Sequence, residues 1–352
     1  MIDPELGADI VELGMVTAVR IAEGGDVGVE VALTVAGCPL RTQIESDVET
    51  RVAAVPGVRT VTVGTGVMDA EQRKAVMARA RLSARDPAPD TDIPDSARVI
   101  AVASGKGGVG KSSITVNLAV AMARRGFDVG ILDADVYGFS VPKMLGITAD
   151  PLIIGDLVVP PTANAVRCLS MGYFVPDDTP VIWRGPMLHK ALEQFLVDAY
   201  WGEPDYLLID MPPGTGDVTL SLGQYLTKTE VYVVTTPQPA AERVAQRSAY
   251  AARKLKLAVR GVIENMSWFT GDDGTRYELF GSGGGRQLAD ELGVPLLAQV
   301  PLVPALRQGG DDGIPVMVAD PEGEAAAIFD QLATSIIDLG PARVYRKELS
   351  VR

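Results

Sequence analysis

The 352 residues predict an α/β fold: a doubly wound parallel sheet preceded by a small α+β domain. Three observations carry the prediction. From residue 98 onward, short apolar runs suited to buried strands alternate with helical stretches, the pattern of a parallel sheet covered on both faces. A glycine-rich turn, Gly105-Lys-Gly-Gly-Val-Gly-Lys-Ser112, joins one such run to a helix. A stretch rich in Pro and Asp, residues 83–96, lacks any apolar period and reads as a semi-extended linker. The expected organisation is a small domain over 1–82, the linker over 83–96, the sheet domain over 97–340 and a tail over 341–352.

In the small domain, residues 4–13 read as a short helix. Residues 15–22 and 27–35 read as strands joined by a hairpin at Glu23-Gly-Gly-Asp26. A helix over 41–55, a strand over 58–63 and a helix over 69–82 complete it. Thr34-Val-Ala-Gly-Cys-Pro-Leu40 falls at the strand-to-helix junction, with Cys38 near the N-cap and Pro39 near the first helical position. A thiol there feels the positive end of the helix, which favours its thiolate. A buried small hydrophobe is the equal alternative for Cys38.

In the large domain the run at 98–103 is a strand, and residues 113–125 form the helix that stops at Gly126. Strand, glycine loop and helix is the arrangement of a phosphate-binding loop, G-x-x-x-x-G-K-[ST]. Gly105, Gly107, Gly108 and Gly110 let the backbone wrap an anion. The N–H groups of the loop, from Lys106 and Val109 to Ser112 and Ser113 at the helix start, point toward it. Lys111 supplies a point charge to the outer phosphates and Ser112 a hydroxyl to Mg²⁺, so ATP and Mg²⁺ are the expected ligands. Four further strands are expected at 129–132, 206–210, 230–235 and 259–263, and a last one at 296–300. Helices are expected over 186–200, 240–256 and 285–292.

In such a sheet, ligands lie beyond the carboxyl ends of the strands. Asp210 ends an apolar strand, where a carboxylate needs a cation or hydrogen-bond donors, and is expected to hold Mg²⁺, largely through water. Asp133 and Asp135 end the preceding strand. Asn265 ends another and has one donor and one acceptor for adenine, with local backbone bonding as the rival use of its amide.

Composition narrows the partners. Hydrophobic residues make up 47% and charged residues 22%, ordinary for a globular chain. No apolar run reaches membrane-spanning length, and the start lacks the pattern of a secretory signal. Two cysteines, Cys38 and Cys168, make no disulfide framework, so a reducing cytoplasm is expected. The net charge of −13 opposes non-specific binding to nucleic acid, and the basic residues near the C-terminus read as a solvated tail.

Lys106 is a second lysine in a loop whose phosphates Lys111 already reaches. Lys106-Gly-Gly-Val-Gly-Lys-Ser112 resembles the deviant loop of ParA/MinD ATPases, in which the extra lysine reaches a partner subunit's nucleotide; the resemblance implies an ATP-dependent homodimer. Residues 104–113, Asp133-Ala-Asp-Val-Tyr-Gly138, Val181-Ile-Trp-Arg-Gly-Pro-Met187, Asp210-Met-Pro-Pro-Gly-Thr-Gly-Asp217, Thr235-Thr-Pro-Gln238 and Glu264-Asn-Met-Ser267 together resemble the Mrp/ApbC iron–sulfur cluster carrier ATPases. The first domain resembles the MIP18-like (DUF59) domain of iron–sulfur assembly factors. The likeness spans nearly all of residues 1–320.

The resemblance implies that Asp135 orients the attacking water and Asp133 supports the Mg²⁺ shell. It also implies that the protein serves iron–sulfur apoproteins or assembly factors. One departure matters. Many members follow Glu-Asn-Met-Ser with a Cys-x-x-Cys pair that bridges a [4Fe–4S] cluster, whereas residues 268–280 here contain no cysteine. A cluster on this chain is therefore expected to be labile or to use Cys38. A nucleotide-switched scaffold, or a ParA/MinD-like positioning ATPase without a cluster, stays open as the alternative.

Overall fold

The computed structural model describes residues 1, 9–22, 24–33, 41–69, 71–73, 75–76, 91, 93–136, 138–155, 157–174, 185–214 and 216–342. The chain divides into two compact units, Met1–Ala88 and Pro89–Arg352.

In the first unit, β1 (Val16–Ile21) pairs antiparallel with β2 (Asp26–Leu33), and β2 pairs in parallel with β3 (Thr60–Val67) through the crossover helix α1 (Arg41–Ala53). The alternation in β2 sends Val27, Val29, Val31 and Leu33 into a core with Leu13, Met15, Ile44 and Val48. Asp26 ties the hairpin to β3: it pairs with Arg59 at 2.7 Å and accepts the Thr60 hydroxyl. Two expectations change. Of the helix expected over 4–13, the described part runs from a bridge at Asp9 into a turn. Here Asp9 accepts the Val11 N–H and pairs with the N-terminal amine, satisfying the backbone locally. The strand expected over 58–63 runs on to Val67, because Gly64 and Gly66 break its apolar alternation without breaking its pairing.

The second unit holds an eight-stranded sheet. Its strands are β4 (Arg98–Ser104), β5 (Val129–Asp133), β8 (Thr162–Ala163), β9 (Val166–Ser170), β10 (Tyr206–Asp210), β11 (Glu230–Thr235), β12 (Ala258–Asn265) and β15 (Leu296–Val300). Their order is β15-β12-β11-β4-β10-β5-β9-β8. Every pairing is parallel except β8 with β9. Two small hairpins lie outside it: β6 (Leu152–Ile154) with β7 (Leu157–Val159), and β13 (Phe269–Thr270) with β14 (Arg276–Tyr277). The helices of this unit are α2 (Lys111–Arg124), α3 (Val141–Leu145), α4 (Gly185–Val197), α5 (Asp217–Tyr225), α6 (Pro239–Lys254), α7 (Gly284–Leu292), α8 (Pro304–Asp312), α9 (Val316–Ala319) and α10 (Glu324–Asp338).

Two apolar cores fill the faces of the sheet. α2 is buried almost all round, from Ile114 to Met122, as befits a helix under neighbouring elements on both sides. It packs on one face with Phe329 and Leu332 of α10; truncating Phe329, fully buried, would cost about 3–5 kcal/mol. The opposite core is closed by Trp201, whose indole N–H donates to the Phe195 carbonyl at 2.8 Å. Chain order reverses at β4, which lies between β10 and β11, so the crevice beyond its carboxyl end is where the topology leaves room for a ligand.

Candidate functional site

β4 delivers the chain into the loop at Gly105. A Cβ there would sit 2.2 Å from the backbone of Val244 and Ala245, so only glycine lets α6 lie against the loop. Gly110 has φ +78° and ends the loop at the start of α2; a Cβ there would strike Asn265 Nδ2 at 2.2 Å. The free N–H groups at the start of α2 then face the crevice.

The strand register brings the charged side chains together. Asp210 of β10 lies beside Asp133 of β5, and Asp133 lies beside Ser170 of β9. Asp210 is fully buried. It pairs with the Lys111 ammonium at 2.7 Å and accepts the Ser112 hydroxyl at 2.6 Å and the Thr115 hydroxyl at 2.8 Å. An ion pair so buried is costly to break from either side, about 3–5 kcal/mol for losing one partner. Burial, and then the neighbouring Asp210 carboxylate, hold Asp133 above the usual carboxylate range.

Asp133 has partners of its own. It accepts the backbone N–H groups of Asp135, Ser140 and Val141 at 3.2, 3.2 and 3.3 Å, and the Ser170 hydroxyl at 3.0 Å. Its carboxylate is thus spent on the loop that carries Asp135, where the resemblance implied support of a Mg²⁺ shell. Asp135 is nearly buried and accepts the Gly138 N–H at 3.1 Å.

Lys106 does not extend freely from the loop. Its ammonium donates to Gln238 Oε1 at 3.2 Å, at the N-cap of α6. Asn265 lies behind the loop, donating from Nδ2 to the Val109 carbonyl at 2.9 Å, while among the described residues its buried Oδ1 has no partner. Its amide therefore braces the loop and leaves one acceptor unspent.

Several residues of this site escape a reading of the sequence. Thr115 lies one turn after Lys111, and its hydroxyl also donates to the Lys111 carbonyl at 3.1 Å; a single hydroxyl on an otherwise apolar helix face was the available signal. Ser248 of α6 donates to the carbonyls of Ser104 at 3.2 Å and Gly214 at 3.1 Å, linking the loop base to the stretch after Asp210. Glu264, buried at a strand end as Asp210 is, accepts the Gly285 N–H at 2.6 Å, Gln299 Nε2 at 2.7 Å and the Ser267 hydroxyl at 2.9 Å.

Residues 268–280 take the place of the thiol pair. They form the β13–β14 hairpin, whose turn is held by Asp273 accepting the Thr275 N–H at 2.9 Å and its hydroxyl at 2.8 Å. Arg276 lies 4.4 Å over the Trp268 ring and pairs with Glu324 at 3.0 Å. Cys168 is fully buried in β9, and burial pushes its thiol far up, so it is a poor cluster ligand. Cys38 and its junction lie outside the described residues, as do 181–184 of the Trp-Arg-Gly-Pro-Met string. His189 is half-buried between α4 and α5, with Nδ1 2.7 Å from the Ser221 hydroxyl and Nε2 2.8 Å from the Tyr225 hydroxyl; it packs and does not face the crevice residues above.

This geometry agrees with the comparisons to known proteins. The model of the NUBPL iron-transfer P-loop NTPases matches residues 95–337. The chain belongs to that family. Residues 1–63 match a second family, described as an iron–sulfur cluster assembly protein. A relative from Mycobacterium tuberculosis, named iron–sulfur cluster carrier protein, is 48% identical over 345 residues, covering 95% of this chain and 91% of its own. Among solved structures, a nucleotide-binding protein from Archaeoglobus fulgidus in complex with ADP is 32% identical with a TM-score of 0.56, covering 66% of this chain and 91% of its own. MinD from Pyrococcus horikoshii, complexed with Mg-ADP, is 26% identical with a TM-score of 0.52, covering 69% and 97%. The family makes this a nucleotide-binding P-loop NTPase. Among the described residues, no helix is long and apolar enough to cross a membrane.

Proposed function

We propose that the chain is a cytoplasmic, homodimeric ATPase that assists iron–sulfur cluster assembly or transfer to apoproteins. The observation that carries the ATPase reading is the buried Lys111–Asp210 pair with the half-buried Ser112 at the mouth of a glycine loop. A cation for phosphate oxygens, a hydroxyl and a carboxylate 2.6 Å apart for one hard divalent ion, and an unspent buried acceptor on Asn265 fit a Mg-nucleotide. Bound Mg²⁺ would supply neutralisation of the phosphate charge.

The protein's own residues then divide the work. Lys111 turns from Asp210 to the phosphates, while Ser112 and Asp210 remain to hold the ion. Asp135 orients the attacking water, and Asp133 fixes the loop from which it does so. Lys106 leaves Gln238 to reach the nucleotide of a second subunit. Support for the iron–sulfur role comes from the two matched families and from the names of the relatives. The hairpin at 268–280 offers no thiolate, so cargo on this chain falls to Cys38.

The shared site has a direct test. Lys106→Ala and Asp135→Ala proteins should each lose turnover alone. A heterodimer of the two retains one complete site if Lys106 acts across the dimer, so mixing should restore part of the ATP hydrolysis. A mixture no more active than its separate components would overturn the shared site.

A further inference from the structure

We infer that the outer face of α6 is a docking surface for an acidic protein partner. Along this helix Arg243, Arg247, Tyr250 and Lys254 are all exposed, at spacings of four, three and four. At 3.6 residues per turn they form one narrow stripe, with Ala241, Ala245, Ser248 and Ala252 buried on the opposite side. Among the described residues the three cations of the stripe have no hydrogen-bond or ion-pair partner, unlike Arg253, which donates to the Leu292 carbonyl. Of the nearby carboxylates, Glu291 accepts Gln246 Nε2 at 2.6 Å, and the buried Glu242 feels the Arg243 charge without forming an ion pair with it.

Three unpaired cations in a row are out of keeping with a chain of net charge −13. They attract a local negative surface, and Tyr250, 43% exposed at the centre, offers the amphipathic anchor that protein interfaces favour. The same net charge repels a long phosphate backbone, which favours a protein over a duplex.

The inward side of α6 gives this surface a further property. Its N-cap holds Lys106 through Gln238, its backbone abuts Gly105, and Ser248 bonds the carbonyls of Ser104 and Gly214. A rearrangement of the loop on nucleotide binding therefore shifts the helix that bears the stripe. Docking itself stands apart from the ATP reading; its nucleotide sensitivity rests on that reading.

Poly-L-glutamate is the probe, with duplex DNA as the competing polyanion, both at low ionic strength. The full chain should bind poly-L-glutamate, and the triple variant Arg243→Glu, Arg247→Glu, Lys254→Glu should bind it at least about tenfold more weakly. A control with equal charge change at other exposed sites, Arg20→Glu, Arg51→Glu, Lys190→Glu, should lose much less. Circular dichroism and basal ATP turnover, unchanged in the triple variant, establish that it folds. Equal loss in the two triple variants, or no binding by the wild type, would overturn the docking surface. Tighter binding of the duplex, lost in the α6 variant, would replace the protein partner by nucleic acid. Mg-ATP should change the poly-L-glutamate affinity severalfold; docking that ignores the nucleotide would overturn the coupling alone.

Discussion

At the carboxyl ends of β4, β5 and β10 the charges are buried and matched: Lys111 with Asp210, and Asp133 with three N–H donors of its own loop and the Ser170 hydroxyl of β9. In the β13–β14 hairpin the charges are exposed and spent on the turn and on neighbouring side chains, Asp273 on Thr275 and Arg276 on Glu324. Buried charges persist where something repays their desolvation. The strand-end site thus holds groups that fit a nucleotide, while the hairpin is a self-satisfied surface element. We propose on this ground that nucleotide chemistry and cargo chemistry are separable in this chain.

The sharpest way to break that contrast is Lys111→Ala. It removes the ammonium from the phosphates and should weaken Mg-nucleotide binding by about a hundredfold or more, since charge-assisted contacts are the strong ones. Calorimetry with unchanged affinity would remove the loop from the site. A change in the hairpin should do far less: Asp273→Ala loses an exposed turn contact and should leave nucleotide affinity where it is.

Asn265→Ala should have an intermediate effect. It deletes the bond to the Val109 carbonyl and leaves that buried acceptor unpaired, a loss of about 1–3 kcal/mol that should appear as roughly tenfold weaker nucleotide binding through a loosened loop. Wild-type affinity in this variant would mean that Gly110 and its neighbours hold their shape without the brace.

The smallest effect concerns His189 of α4. Burial lowers its pKa below the ordinary 6.5, so the folded chain prefers it neutral. The unfolded chain takes up its proton first as pH falls. The contribution of His189 is therefore fully present above about 6.5 and is lost as pH drops toward the lowered folded value. Denaturant midpoints of wild type and His189→Gln should diverge across that window; parallel curves would contradict the burial argument.

How much of this was legible follows from distance along the chain. The loop is contiguous, and Asp210 announces itself by ending an apolar run, so both could be read directly. The partners that complete the site are remote: Thr115 lies 95 residues before Asp210, Lys106 lies 132 before Gln238, and Ser248 lies 144 after Ser104. No local pattern encodes such contacts. β4, β5, β10, β11, β12 and β15 stand out because each carries a short, near-continuous apolar run, whereas β9, Val-Arg-Cys-Leu-Ser, is interrupted by Arg167. β8, β13 and β14 have two residues each and exist only through their pairing. β6 is harder still, since Leu152, Ile153 and Ile154 are 65–68% exposed and imitate a buried strand. Lys106 stands out in the sequence, but its hold on Gln238 depends on how α6 docks against Gly105.

Iron and acid-labile sulfide content after anaerobic reconstitution, measured beside ATP turnover in wild type and Cys38→Ser, tests the separation of nucleotide and cargo chemistry most directly. Labile, substoichiometric iron should appear in the wild type and be lost in Cys38→Ser, while turnover survives the substitution. A stable, stoichiometric cluster that persists in Cys38→Ser would contradict that expectation.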